Sequence, residues 1–179
     1  LRHPHTTIPQ LRQTILQLAV QGQLVPQDPN DEPGSVLLAR ILSSPCGIKS
    51  VKRRPPLAVK DLPHILPTDW QWARLGEVFD VRDGTHDTPK YVSCGFPLVT
   101  SKNLSSGRLD LTNVKFISEA DHRAIAVRSS VDRNDVLFAM IGSIGNPVLV
   151  DTDEEFSIKN VALFKYRSPR DSCAEFLLL

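Results

Sequence analysis

Apolar positions near the start of the chain recur with a helical period. Ile8, Leu11, Ile15 and Leu18 follow a 3-4-3 spacing, the seam of a helix that packs on another helix. Thr7 with Gln10 three residues on forms a capping box, and Pro9 sits in the first turn, where its missing N–H costs nothing. Gly22 marks the end and Pro26 closes it, so a helix is predicted over 7–24. A helix of this length is marginal in water by itself, so the seam calls for a partner. A turn-rich run from Pro26 to Pro33 leads to a second short helix at 35–43, carried by Val36, Leu37, Leu38, Ile41 and Leu42.

Residues 45–67 hold Pro45, Pro55, Pro56, Pro63 and Pro67 with the basic run Lys49, Lys52, Arg53, Arg54 and Lys60. Proline at this density disfavours helix and strand, which predicts an extended linker. From Pro67 the pattern turns to short strands, expected at 73–82, 97–100, 109–117, 134–141, 146–151 and 161–167. Ser118 with Asp121 opens a helix at 119–127. Asp83-Gly84, Ser106-Gly107 and Ile144-Gly145-Asn146 carry turn chemistry. The expected fold class is α+β: a helical segment over 1–44, the linker, and a mixed-sheet domain over 68–179. Trp70 and Trp72 flank the start of that domain and read as core.

Charge adds an asymmetry. The net charge is +1, which argues against a tail-type polyanion binder. Residues 1–68 hold eight Lys/Arg against four Asp/Glu, and residues 69–179 hold thirteen against sixteen. A nucleic-acid surface on the second part must therefore be local. Cys46, Cys94 and Cys173 lie far apart with no CxxC, so reduced thiols in a cytosolic protein are expected. No apolar run reaches the ~18 residues of a membrane span. The chain begins at Leu1 and stops at Phe176-Leu177-Leu178-Leu179 with a helix just begun, which reads as a fragment or truncated product.

Several chemistries lack their residues. No phosphate-loop motif is present, and Gly142-Ser143-Ile144-Gly145 is a two-glycine turn rather than a dinucleotide cradle. Asn146-Pro147-Val148 lacks the second proline and the aromatic that an amino-methyltransferase needs around a flipped base. Asp83, His86 and Asp87 share one loop, but no second His/Cys cluster completes a metal site. Asp151, Asp153, Glu154 and Glu155 lack the E-x-K of a common nuclease core and read as a solvated hairpin tip.

Polar chemistry concentrates in three places: Arg82, Thr85, His86, Thr88, Lys90 and Tyr91; Ser101, Lys102 and Asn103; and Ser143 and Asn146 with Lys159 and Asn160. Lys and Arg bind phosphate or guanine, Asn pairs with adenine through two bonds, and Ser and Thr serve either. These residues are the candidate DNA contacts. Turn stabilisation competes for Asp83 and Thr85, and packing on the sheet for Tyr91. Lys102→Ala or Asn103→Ala is expected to lower specific binding with the fold intact.

The helix from Leu11 to Gln27, the run Asp28-Pro29-Asn30-Asp31-Glu32-Pro33 and the helix after it resemble type I restriction–modification specificity subunits. So do Leu66-Pro67 with Trp70, Trp72 and Arg74-Leu75-Gly76-Glu77, the loop Asp83 to Tyr91, Thr100 to Leu104, and Gly142 and Gly145 with Lys159-Asn160. The resemblance implies a target recognition domain over 68–179 that reads one half of a split DNA site, without catalysis of its own. It implies prokaryotic cytoplasm, double-stranded DNA as ligand, and modification and restriction subunits as partners. Ile8, Leu11, Ile15 and Leu18 would dock them. S-adenosylmethionine, ATP and Mg are expected on those partners and no cofactor on this chain. The spacer helix and second recognition domain of the family are not in this sequence. Two rival readings are a helix-mediated interaction module without DNA specificity and a nuclease or methyltransferase fragment.

Overall fold

In the computed structural model, residues 7–43, 55, 57, 58, 60, 62–142, 144–167 and 173–178 are described. Most of the expected linker therefore lies outside the described residues. The chain divides into a unit up to Arg74 and a unit from Leu75 to Leu178. Residues 68–74, grouped above with the sheet domain, thus belong to the helical unit.

In the first unit, helix α1 spans Ile8–Val20. Its start follows the expected cap: Gln10 Oε1 accepts from the Thr7 N–H at 2.9 Å and from the Thr7 hydroxyl at 3.0 Å. Its end is a Schellman turn, in which Gln23 N–H donates to Leu18 O (2.8 Å) and Gly22 N–H to Ala19 O (3.0 Å). Gly22 takes φ +68°, and a Cβ there would lie 2.8 Å from Pro67 Cγ and 2.9 Å from Trp70 Cε2. Only glycine lets residues 67–70 return so close to the helix end. Gln27 ties the return, donating from Nε2 to Gly22 O (2.8 Å) and accepting from Trp70 Nε1 (2.7 Å). Helix α2, Gly34–Ser43, buries Ile41, and the Gly34 N–H reaches Asp69 O at 2.7 Å. Trp70 and Trp72 are half-buried here, Trp72 edge-on to His64 at 4.9 Å. On α1, Ile8, Leu11 and Ile15 stand exposed and Leu18 is half-buried.

The second unit opens with one helical turn, α3 (Leu75–Val78), where strand had been expected. Among its described residues it then holds eight strands: β1 Phe79–Asp83, β2 Tyr91–Val92, β3 Phe96–Val99, β4 Lys115–Ile117, β5 Val136–Ala139, β6 Gly145–Leu149, β7 Ser157–Ile158 and β8 Val161–Tyr166. Helix α4 (Glu119–Ser129) follows β4, and α5 (Ala174–Leu177) ends the described chain. The strands form two sheets rather than one. The first, in the order β1-β8-β5-β6, is antiparallel throughout; the second, β2-β4-β3-β7, is mixed, since β3 and β7 run parallel.

One cluster joins the sheets: Val99 and Ile158 of the mixed sheet pack with Leu137, Ala139, Val148, Val161 and Leu163 of the antiparallel one. Alternate residues Val136, Ala162 and Phe164 join Phe79 in a second cluster, against which Leu177 of α5 and Leu178 pack. Both faces of β8 are thus covered at its start. That is why Val161-Ala162-Leu163-Phe164 reads as an unbroken apolar run.

The expected strand 109–117 survives only as β4. Asp110 Oδ1 accepts from the Thr112 N–H (2.9 Å) and hydroxyl (2.6 Å), a local turn that replaces ladder bonds. Leu109 and Leu111 still pack on the main cluster, so their alternation reports burial without a strand. Helix α4 is capped by Ser118, which accepts from the Asp121 N–H at 3.2 Å and donates to Asp121 Oδ2 at 2.7 Å. Among the described residues no helix is long and apolar enough to cross a membrane.

Candidate nucleic-acid interface

Strand register gathers loops that are far apart in sequence. Asp83, at the end of β1, pairs with Ala162. Ala139, at the end of β5, faces both Val161 and Gly145. Val99, at the end of β3, pairs with Ile158. The loops that leave these positions, starting at 84, 100, 140 and 159, therefore emerge at one end of the domain.

Backbone bonds stitch that end together. Gly84 N–H donates to Val161 O (2.9 Å), Thr85 N–H to Ile158 O (2.9 Å), Asn160 N–H to Thr85 O (3.0 Å) and Lys159 N–H to Val99 O (2.9 Å). Thr85 and Lys159 form a parallel bridge. A Cβ on Gly84 would sit 2.5 Å from Ile158 O, so this crossing requires glycine. Side chains add to it. His86 Nδ1 lies 3.0 Å from Asn160 Oδ1, and the Lys159 ammonium donates to the Thr88 hydroxyl. Arg128 of α4, absent from the expected set, donates from Nη2 to Gly84 O at 2.6 Å. Between this loop and α4 lies a cleft of about 440 Å³, lined in part by Thr85, His86, Thr88, Asp121 and Arg128.

Five expected residues, Thr85, His86, Thr88, Lys159 and Asn160, are thus linked in one network. Ser101 and exposed Lys102 follow directly from the end of β3. Asn146, exposed at φ +50°, lies at the start of β6. Ser143 lies outside the described residues.

The others stand apart. Arg82 gives its Nε to Asp80 Oδ2 at 2.6 Å on β1. Tyr91 lies on edge strand β2 opposite Ile117, which also pairs with Phe96, so it sits level with the far end of β3; Lys90 precedes it.

Asn103, expected among the DNA contacts, does not face solvent. Its side chain is buried, and its whole amide is committed to the backbone around it. Oδ1 accepts from the Thr100 N–H (3.0 Å) and hydroxyl (3.1 Å), while Nδ2 donates to Asp110 O (3.1 Å) and Asn113 O (3.0 Å). It caps the 3-10 turn Ser101–Leu104 in the manner of Gln10 at α1. The geometry gives Asn103 the shaping of the loop and leaves no free hydrogen-bonding atom for a base.

The remaining ionisable clusters are structural. Burial pushes the Asp135 carboxyl up, and the Lys165 ammonium at 2.5 Å and the Asp132 N–H at 2.8 Å offset that only in part. The bidentate Arg133 guanidinium, at 2.8 Å from both oxygens, holds the Asp153 carboxyl below its usual range. His122 lies between Ser157 Oγ (2.9 Å) and Glu155 Oε2 (3.5 Å), a row like that of a hydrolase. Ser157, however, is buried in β7 and Phe96 stacks on the imidazole at 4.1 Å, so the row ties α4 to the sheet. Among the described residues no three His, Cys, Asp or Glu side chains are grouped to hold a metal ion.

No protein-family model matches the chain. Over 139 residues it is 36% identical to the type I restriction enzyme EcoAI specificity subunit of Escherichia coli, covering 73% of this chain. Over 78 residues it is 49% identical to the EcoEI specificity subunit of the same organism, covering 40% of this chain. The chain is similar to one stretch of each of these type I restriction specificity subunits. The matched stretches span 23% and 13% of those two specificity subunits. The HsdS subunit of Thermoanaerobacter tengcongensis aligns over 94% of this chain and 33% of its own, at 18% identity and a TM-score of 0.48.

Proposed function

We propose that the unit from Leu75 to Leu178 reads DNA sequence through the end at which its loops gather, as part of a specificity subunit. The observation that carries this reading is the convergence of Thr85, His86, Thr88, Lys159 and Asn160 on a stitched backbone. Donors held in fixed register can match base edges without the cost of ordering loops on binding. Lys102 and Lys159 reach phosphates, while Asn146, Asn160 and His86 offer donor–acceptor pairs to bases. The contact between His86 and Asn160 is exchanged for base contacts when DNA enters. Similarity to the two specificity subunits supports this role.

In the same reading the chain supplies no catalytic group. Modification and restriction subunits carry S-adenosylmethionine, ATP and Mg in a prokaryotic cytoplasm, and the exposed row Ile8, Leu11 and Ile15 with Leu18 docks a partner helix. Selection from a randomised duplex pool, followed by affinity measurement at 50 and 200 mM salt, tests the DNA-reading claim. A short enriched motif is expected, with affinity falling roughly 40- to 150-fold across that range for three or four phosphate contacts. Binding without enrichment would reduce the loops to a basic patch and overturn the reading.

A further inference from the structure

The loop between β5 and β6 differs in chemistry from the others at this end of the domain. It carries two isoleucines beside its tip, Ile141 after β5 and Ile144 before β6, exposed at 55% and 73%. Exposure alone says little, since Val127 is exposed as well. Position gives these two their meaning. Ala139 pairs with both Gly145 and Val161, so the tip extends past the start of β8, beside Asn160 and the bridge between Thr85 and Lys159.

Gly142, Gly145 and Asn146 take φ of +79°, +115° and +50°, and the Ile144 N–H donates to Gly142 O at 3.0 Å. Isoleucine is stiff at χ1, so little freedom is lost when it is contacted. Of this hairpin only the β5–β6 connection projects beyond the sheet, and the major groove is wide enough to admit such a protruding turn. Most base-edge groups there are hydrogen-bond donors or acceptors, and the 5-methyl group of thymine is the bulky apolar one. The polar loops suit the former, and the two exposed isoleucines suit the latter.

We propose that Ile141 and Ile144 read thymine methyl groups and give this domain a preference for A·T pairs at one or two positions of its site. The inference rests on the DNA-reading proposal, and its test separates the two. A motif is selected from a randomised duplex pool with the 179-residue chain. Each thymine is then replaced in turn by deoxyuridine, which removes the methyl group and leaves pairing unchanged. Affinity falls about four- to tenfold at one or two positions, the effect of one buried methyl group. Ile141→Ala and Ile144→Ala weaken binding to the thymine duplex and abolish the difference between thymine and uracil, with melting temperature unchanged. The uridine series needs no variant, so it does not depend on how a variant folds. An enriched motif that tolerates uracil everywhere, or that contains only G·C pairs, overturns this inference and leaves DNA reading standing. Equal loss by the variants on both duplexes, with DNA bent by the wild-type chain, also overturns it and makes the tip a wedge between base steps. With no enriched motif, both proposals fall.

Discussion

Replacing Asn103 by alanine removes four hydrogen bonds at once. The Thr100 N–H and hydroxyl lose their shared acceptor, and the carbonyls of Asp110 and Asn113 lose their donor. Each bond contributes about 1 kcal/mol net, and a buried group left without a partner costs about 1–3 kcal/mol. The Thr100 hydroxyl can turn elsewhere, and the half-buried segment around it admits some water. A loss of about 3 kcal/mol follows. For a domain of about 100 residues this lowers Tm by roughly 10 °C or more. Thermal unfolding by circular dichroism reads it directly. DNA affinity falls as well, because the turn that presents Lys102 loses its cap. Lys102→Ala shows the opposite profile: Tm unchanged and the salt dependence of binding shallower by about one phosphate contact. Unchanged Tm in Asn103→Ala, with affinity lost for the selected site alone, would refute the structural assignment and return Asn103 to the base-reading set.

Gly84→Ala drives a Cβ to within 2.5 Å of Ile158 O; it costs about 2 kcal/mol and weakens DNA binding at least tenfold by parting Thr85 from Lys159, as melting and titration will show. The Asp135 carboxyl, raised by burial from its usual 3.8, holds a proton to higher pH in the folded chain than in the unfolded one, so its contribution is present below 3.8 and is lost as pH rises through the folded value. Asp135→Asn removes that term, and Tm measured from pH 3 to 6 drops more steeply on acidification than in the wild type. Leu11→Glu, on the exposed row of α1, leaves Tm and DNA affinity unchanged but abolishes co-purification with the modification subunits.

Local signals in the sequence translated well into structure. Thr7 with Gln10 and Ser118 with Asp121 mark helix starts because their bonds span three residues, and such spacing is visible in any sequence. The row on α1 was legible for the same reason. Strands β2 and β7 were not, because two residues cannot display an alternating pattern. Asn103 looked like a surface donor because its partners, Asp110 and Asn113, lie seven and ten residues on in a segment that reads as strand. The candidate site posed the harder problem. His86 and Asn160 are 74 residues apart, and their meeting depends on Thr85 crossing β7 beneath a glycine. The loop chemistry was visible residue by residue, but which residues share a surface is a matter of register. Arg82 and Tyr91, adjacent in sequence to that loop, fall outside the cluster for the same reason.

Amide hydrogen exchange of the chain, with and without its selected duplex, tests whether DNA meets one end of the sheet domain. Protection is expected at 84–88, 100–104, 140–146 and 159–160, with little change in β2 or in the 151–155 loop. Protection centred on those other segments, or none at all with DNA bound, would contradict the account.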